Sequence, residues 1–226
     1  MIHSGIAPLD QQLGGLFPRR LHLLTGGPGT GKSTACLHFL QAGLDKEEPV
    51  GLLTLDQVGD LASHAHCIGL DLKPPLRTGR LVVLRYRMEF TSQLSRAGLP
   101  DQVMDDLGRL IGSVQPARLV IDPLTPFLTD GAASAATLAS LAQLLDGLGV
   151  TAILTYPANV ADGYDARLDP IVQRAAAIIH FARGEAGTNR MQIVHTRSCA
   201  TPASVVRFAV RPGAGLVTVA EIAKPS

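Results

Sequence analysis

The sequence is short of lysine and glutamate. Only four of its 20 basic residues are lysine, namely Lys32, Lys46, Lys73 and Lys224. Only five of its 19 acids are glutamate, namely Glu47, Glu48, Glu89, Glu185 and Glu221. A site that needs either residue type therefore has very few candidates. An excess of one charge sign is also missing: the formal net charge is +1, whereas a dedicated nucleic-acid binder carries a clustered basic surplus. The three cysteines, Cys36, Cys67 and Cys199, are odd in number and far apart. They support neither a disulfide framework nor a zinc site, and they fit a reducing cytoplasm. No apolar run approaches the roughly 18 residues of a membrane span. The opening Met1-Ile2-His3-Ser4-Gly5 lacks the basic and apolar regions of a secretory leader. A cytoplasmic protein away from membranes is expected.

What is present is apolar. Hydrophobic residues make up 46% of the 226 and charged ones 17%, which excludes intrinsic disorder. At a soft prior of about 150 residues per domain, residues 1–226 are expected to form one domain. Apolar, β-branched runs recur between helical patterns. Strands are expected at Leu21–Thr25, Val50–Leu55, Arg80–Leu84, Arg118–Asp122 and Thr151–Thr155. Helices are expected at Ser33–Ala42, Asp101–Val114 and Thr137–Leu148. In the second of these, Val103, Leu107, Leu110 and Val114 recur at helical spacing. Strands alternating with helices imply βαβ units and a mainly parallel sheet covered on both faces. After residue 175 only turns separate the strands expected at Ala177–Phe181, Met191–His195, Val205–Val210 and Leu216–Val219. They read as an antiparallel extension of the same sheet. The fold class is thus α/β.

Gly26-Gly27-Pro28-Gly29-Thr30-Gly31-Lys32-Ser33 matches G-x-x-x-x-G-K-[ST] in full, after an expected strand and opening an expected helix. Glycines let the backbone wrap a phosphate with its N–H groups pointing inward. The helix start adds the positive end of its dipole. This makes Gly27, Pro28, Gly29, Thr30, Gly31, Lys32, Ser33 and Thr34 the nucleotide-binding candidates. Lys32 would reach the β- and γ-phosphates, and the Ser33 hydroxyl would go to Mg²⁺. Arg118-Leu119-Val120-Ile121-Asp122 is an apolar strand ending in an acid. It would set the Asp122 carboxylate at the carboxyl edge of the sheet, beside that loop, as a second metal-holding group. ATP and Mg²⁺ are the expected ligands.

The segment Ser4-Gly5-Ile6-Ala7-Pro8-Leu9-Asp10, then Leu13-Gly14-Gly15 and Pro18, running into the phosphate loop, resembles the opening of KaiC-like ATPases of the RecA/RadA group. Leu61, Ala65 and Ile68-Gly69-Leu70-Asp71-Leu72 resemble that family's next helix and turn, and Val120-Ile121-Asp122-Pro123-Leu124-Thr125 its Walker-B strand. His195-Thr196-Arg197 aligns with a Lys-x-Arg tripeptide near the family's chain end. The resemblance runs over about residues 2–219. It implies a RecA-like core, often assembled as a hexameric ring with ATP between protomers. Arg197 would then approach the γ-phosphate held by a neighbouring subunit, with His195 standing in for the family's lysine.

One departure is chemical. The family carries Glu-Glu after the second strand, where a Glu activates the attacking water, but this chain has Asp56-Gln57. Asp56 is one methylene shorter, and Gln57 positions a water without taking its proton. Slow hydrolysis is expected, since positioning matters at about the ångström level. The competing reading is that Asp56 caps the next helix. A second departure concerns autophosphorylation: the segment Pro157–Gly187 holds no Ser or Thr, and there is no second phosphate loop. Clock-type autophosphorylation in this segment is therefore not expected.

The leading reading is a slow ATPase or nucleotide-dependent oligomeric switch, with a protein partner in signalling as a possible output. Its rivals are a RecA/RadA-like DNA recombination or repair ATPase and a non-hydrolysing ATP sensor or scaffold. The loop at Pro157–Arg174 holds Arg167 and Arg174 against Asp162, Asp165 and Asp169, with Tyr164 its only aromatic. It is poorly supplied for phosphate contact or base stacking. His64, His66 and Cys67 lack a convincing metal-site partner and read as helix surface. Cys36 is expected to pack under the phosphate loop.

Overall fold

The central apolar runs Leu21–Thr25, Val50–Thr54 and Thr151–Tyr156 form strands buried on both faces, which leaves no polar alternation to keep. The structure is a computed structural model that describes residues 1–86, 90, 94, 100–128, 133–158, 165–185, 187–197 and 205–219. Its strands are β1 (Leu21–Thr25), β2 (Val50–Thr54), β3 (Leu81–Arg85), β4 (Arg118–Asp122), β5 (Thr151–Tyr156), β6 (Ala177–Arg183), β7 (Asn189–Thr196), β8 (Val205–Arg211) and β9 (Gly215–Thr218). They join in one nine-stranded sheet of order β3-β2-β4-β5-β1-β6-β7-β8-β9.

The pairs from β3 through β6 are parallel, and those from β6 to β9 antiparallel. The antiparallel extension thus starts one strand later than the turns suggest. β6 lies parallel to β1, with His22 opposite Ala177. Nothing in a short apolar run reveals its direction.

The helices are α1 (Ala7–Leu13), α2 (Lys32–Leu44), α3 (Val58–Cys67), α4 (Lys73–Arg77), α5 (Pro100–Val114), α6 (Ala133–Leu148) and α7 (Asp169–Val172). Alternate residues of each central strand feed two cores. Leu24, Val120 and Ile153 pack with Phe39 and Leu40 of α2 and Leu61 of α3. Leu23, Ile121 and Leu154 pack with Leu107 and Ile111 of α5 and Leu141 of α6. On α5 the buried residues are Met104, Leu107 and Ile111, whereas Leu110 is 47% exposed. The face is therefore rotated from the one the spacing suggests.

α2 is buried on most of its circumference, because the hairpin of β8 and β9 covers the side away from the central sheet. Phe208 and Leu216 of that hairpin belong to the same core as Phe39. The hairpin therefore packs beneath the first turn of α2, with Phe208, Val210 and Leu216 against Gly31.

Candidate functional site

The Gly-rich loop leaves β1 after Thr25 and enters α2 at Lys32. Its backbone is anchored at Gly26, whose N–H donates to Tyr156 O (3.2 Å) and Ala158 O (3.0 Å). Gly26, Gly29 and Gly31 have φ of 138°, 71° and 97°, a region L side chains avoid. A Cβ at Gly26 would strike the Phe181 carbonyl, and one at Gly31 would lie 3.1 Å from the Phe208 ring. The Thr30 hydroxyl donates to Gly27 O at 2.8 Å. Lys32 Nζ donates to Gly26 O at 2.6 Å and Gly27 O at 2.9 Å. An ammonium has three donors, so these bonds hold it over the loop and leave one proton to offer. Burial pulls the Lys32 pKa below the ordinary lysine value, and the nearby Asp122 charge works against that shift. Cys36 lies buried below, its thiol pKa pushed well up by burial.

The opposite wall is built from strand ends. Thr54 pairs with Asp122 and Leu24 with Thr155 in register. The carboxyl ends of β2, β4, β5 and β1 therefore line up. Asp122 does not neighbour the loop's own strand, since β5 lies between β4 and β1. Thr155 of that intervening strand donates its hydroxyl to Asp122 Oδ1 and fixes the carboxylate. The sequence reading missed Thr155, although a threonine ending the buried run Thr151–Thr155 was its available signal.

Loop and wall enclose a cleft of about 470 Å³. Pro28, Gly29, Gly31, Lys32, Ser33 and Thr34 line it from one side; Asp56, Asp122 and Thr155 line it from the other. Gly27 and Thr30 face a second hollow beside His180 and Arg183. Asp56 is exposed, and its N–H donates to Thr54 Oγ1 at 3.1 Å. Gln57, not Asp56, stands at the cap position of α3, and it makes no side-chain capping bond. Gln57 is exposed and is not among the residues lining the cleft. His64 of α3 does line it, with Nε2 3.2 Å from Thr34 Oγ1, a contact its helix-surface reading did not anticipate. Among the described residues no cluster of three His, Cys, Asp or Glu side chains could hold a metal.

His195 and Arg197 are exposed and stand at the other end of the sheet. His195 is opposite Ile178, and the Arg197 N–H donates to Ala176 O at 2.9 Å. The seven-residue strand β6 separates them from the phosphate loop by roughly 20 Å. They do not reach the cleft of their own protomer. Residues 159–164, including Asp162 and Tyr164 of the loop weighed for DNA contact, lie outside the described residues, as do Arg87, Glu89 and Cys199. No helix among the described residues is long and apolar enough to cross a membrane.

A mainly parallel sheet with a Gly-rich loop between its first strand and the following helix, facing an acid at the end of another strand, defines a RecA-like P-loop fold. The model of the family described as "ATPase: KaiC" matches residues 2–223, and the chain belongs to that family. A UPF0273 protein of Methanopyrus kandleri is 32% identical over 167 residues, covering 68% of this chain and 65% of its own length. The chain thus spans just under two thirds of that relative. A UPF0273 protein of Aeropyrum pernix is 30% identical over 175 residues, covering 71% of this chain and 69% of its own. The fold matches the crystal structure of a KaiC-like protein of Pyrococcus horikoshii, with a TM-score of 0.79, 24% identity and coverage of 97% and 98% of the two chains.

Proposed function

We propose that this chain binds Mg-ATP in the cleft, hydrolyses it slowly, and uses nucleotide state to set its assembly with copies of itself. The observation that carries the reading is the convergence of the Lys32 ammonium, the Ser33 hydroxyl and the Asp122 carboxylate on one cleft at the start of α2. A Cβ on Gly26, Gly29 or Gly31 would crowd Phe181 O, the Arg183 guanidinium or the Phe208 ring, so the loop keeps its turn only with glycine there. A hydroxyl and a carboxylate are the hard oxygen donors Mg²⁺ takes, so Ser33 and Asp122 fit the ion. When bound, the ion supplies charge neutralisation of the terminal phosphates.

The chain's own groups do the rest. Lys32 offers its remaining N–H to the β- and γ-phosphates, while the first-turn N–H groups of α2 face the anion. Among the described residues, Asp56 is the one carboxylate lining the cleft besides Asp122. It orients the attacking water and takes its proton, and its short side chain keeps the rate low.

Light scattering without nucleotide, with ADP and with ATP, combined with phosphate release on the same samples, tests the reading. Particle size is expected to depend on nucleotide, with slow release. Lys32→Ala abolishes both. Asp56→Asn lowers turnover about 100-fold while ATP still binds. Absence of ATP binding by the wild type would sink the whole proposal. Turnover unaffected by both Asp56→Asn and Gln57→Ala would move the water-activating role elsewhere. The non-hydrolysing sensor keeps one observation in its favour, the position of Gln57 outside the cleft lining.

A further inference from the structure

We propose that His64 is a positioning residue of the phosphate site, directing the single proton of the Thr34 hydroxyl toward a nucleotide phosphate. The inference rests on the nucleotide-binding reading above and goes beyond it by giving a role to a helix that carries no phosphate-loop residue.

The geometry comes first. In α3, Leu61 and Ala65 are buried in the core with α2. His64, one turn after Leu61, is half-buried at the edge of that packing. Its Nε2 lies 3.2 Å from Thr34 Oγ1. Thr34 itself is only 4% exposed and lines the cleft next to Ser33. His64 also borders the small space behind the cleft, with Ser33, Asp56 and Asp122. It therefore bridges the helix after Asp56 to the first turn of α2.

The chemistry follows from counting protons. A threonine hydroxyl has one donor and two lone pairs. If it donates to His64, it turns only lone pairs toward the cleft, where they repel phosphate oxygens. A phosphate oxygen at this site needs a donor. The Thr34 proton must then point at the phosphate, and His64 must be the donor to Thr34 Oγ1, with the proton on Nε2. The imidazole fixes one hydroxyl rotamer out of several. A hydrogen bond to a charged acceptor is stronger than a neutral one, so the loss of that orientation falls mainly on the bound state.

The test is calorimetric titration of Mg-ATP into the intact protein and its variants, each checked for a cooperative thermal melt. His64→Leu is expected to weaken affinity about tenfold. His64→Gln places an amide N–H the same number of bonds from Cβ and recovers most of that loss. Thr34→Val weakens binding by a similar factor, and adding His64→Leu to it changes nothing further, because the two residues act through one proton. Should His64→Leu fail to melt cooperatively, His64→Phe keeps the bulk without the donor and takes its place. Wild-type affinity in His64→Leu, or full additivity with Thr34→Val, would overturn the proposal. Lys32→Ala separates the two levels. If it binds ATP as the wild type does, the nucleotide site itself is misplaced. If it alone loses binding, only the role of His64 falls.

Discussion

His22 shows how far a single side chain can depart from what its letter suggests. It sits within the apolar run of β1 and is fully buried. Its Nδ1 donates to Ala152 O at 3.2 Å, and its Nε2 accepts the Phe17 N–H at 3.2 Å. The ring stacks on Phe17, with the two planes 8° apart. Both nitrogens are thus used by a neutral ring, and burial lowers its pKa from 6.5 to about 4. The unfolded chain takes up this proton first, so stability contributed by His22 is present above about pH 6.5 and lost as pH falls toward 4. The gap is worth on the order of 3 kcal/mol. Urea unfolding at pH 7 and at pH 4 is expected to show a loss of that size, and His22→Gln should flatten the acid limb. An identical acid limb in the variant would assign the loss to the carboxylates instead. Cys36 departs in the opposite direction from a reactive thiol: burial raises its pKa, which keeps it protonated and inert at neutral pH.

At the scale of elements, the docking of α3 against the β8–β9 turn gives a prediction that depends on backbone alone. Gly69, just past α3, has φ 83°, and a Cβ there would strike the Gly213 carbonyl. The Gly213 N–H in turn donates to Cys67 O at 2.8 Å. Gly14, after α1, has a similar φ of 72° but nothing within 4 Å. Gly14→Ala should cost about 1 kcal/mol through backbone strain, and Gly69→Ala about 2–4 kcal/mol, because the hairpin must also move. Denaturant midpoints compare the two directly, and equal shifts would show that the hairpin yields freely. This contact joins residues 144 apart in the chain (69 and 213), which is why no local pattern announces it. The phosphate loop, the strand ending in Asp122 and most strand limits follow from runs and punctuation. α1 and α4 leave no periodic signal because they are short and carry prolines, Pro8 in α1 and Pro74 and Pro75 in α4. Strand direction, strand order and the rotation of α5 depend on which surfaces meet, and periodicity does not encode that. Thr155 and His64 reach the cleft for the same reason. Each is ordinary in its own segment and acquires its place only when β5 lies beside β4 and α3 beside α2.

At the scale of the whole molecule, the sheet places the cleft and the His195-Thr196-Arg197 tripeptide at opposite ends. The cleft with Lys32 and Asp122 opens at the carboxyl ends of the parallel strands, while His195 and Arg197 stand at the opposite end of β6 and β7. A finger so placed cannot serve its own protomer. A head-to-tail arrangement of copies, in which one end faces the other, brings the cleft and the tripeptide together and closes into a ring when the rotation allows. Arg197 would then add fixed positive charge at the γ-phosphate of the neighbour. Two inactive variants distinguish this from a cis or purely structural role. Lys32→Ala removes the phosphate site and keeps the finger; Arg197→Ala keeps the site and removes the finger. Each alone is expected to release little phosphate. Mixed in equal amounts and allowed to exchange subunits, about a quarter of the interfaces pair an intact site with an intact finger. Phosphate release should rise to about that fraction of the wild-type rate. If mixed assemblies form, as shown by differently tagged subunits co-eluting, and no activity returns, then Arg197 does not act across the interface. If Arg197→Ala alone hydrolyses as the wild type does, the finger is not used at all, and the exposed pair at the end of β7 has only a surface role.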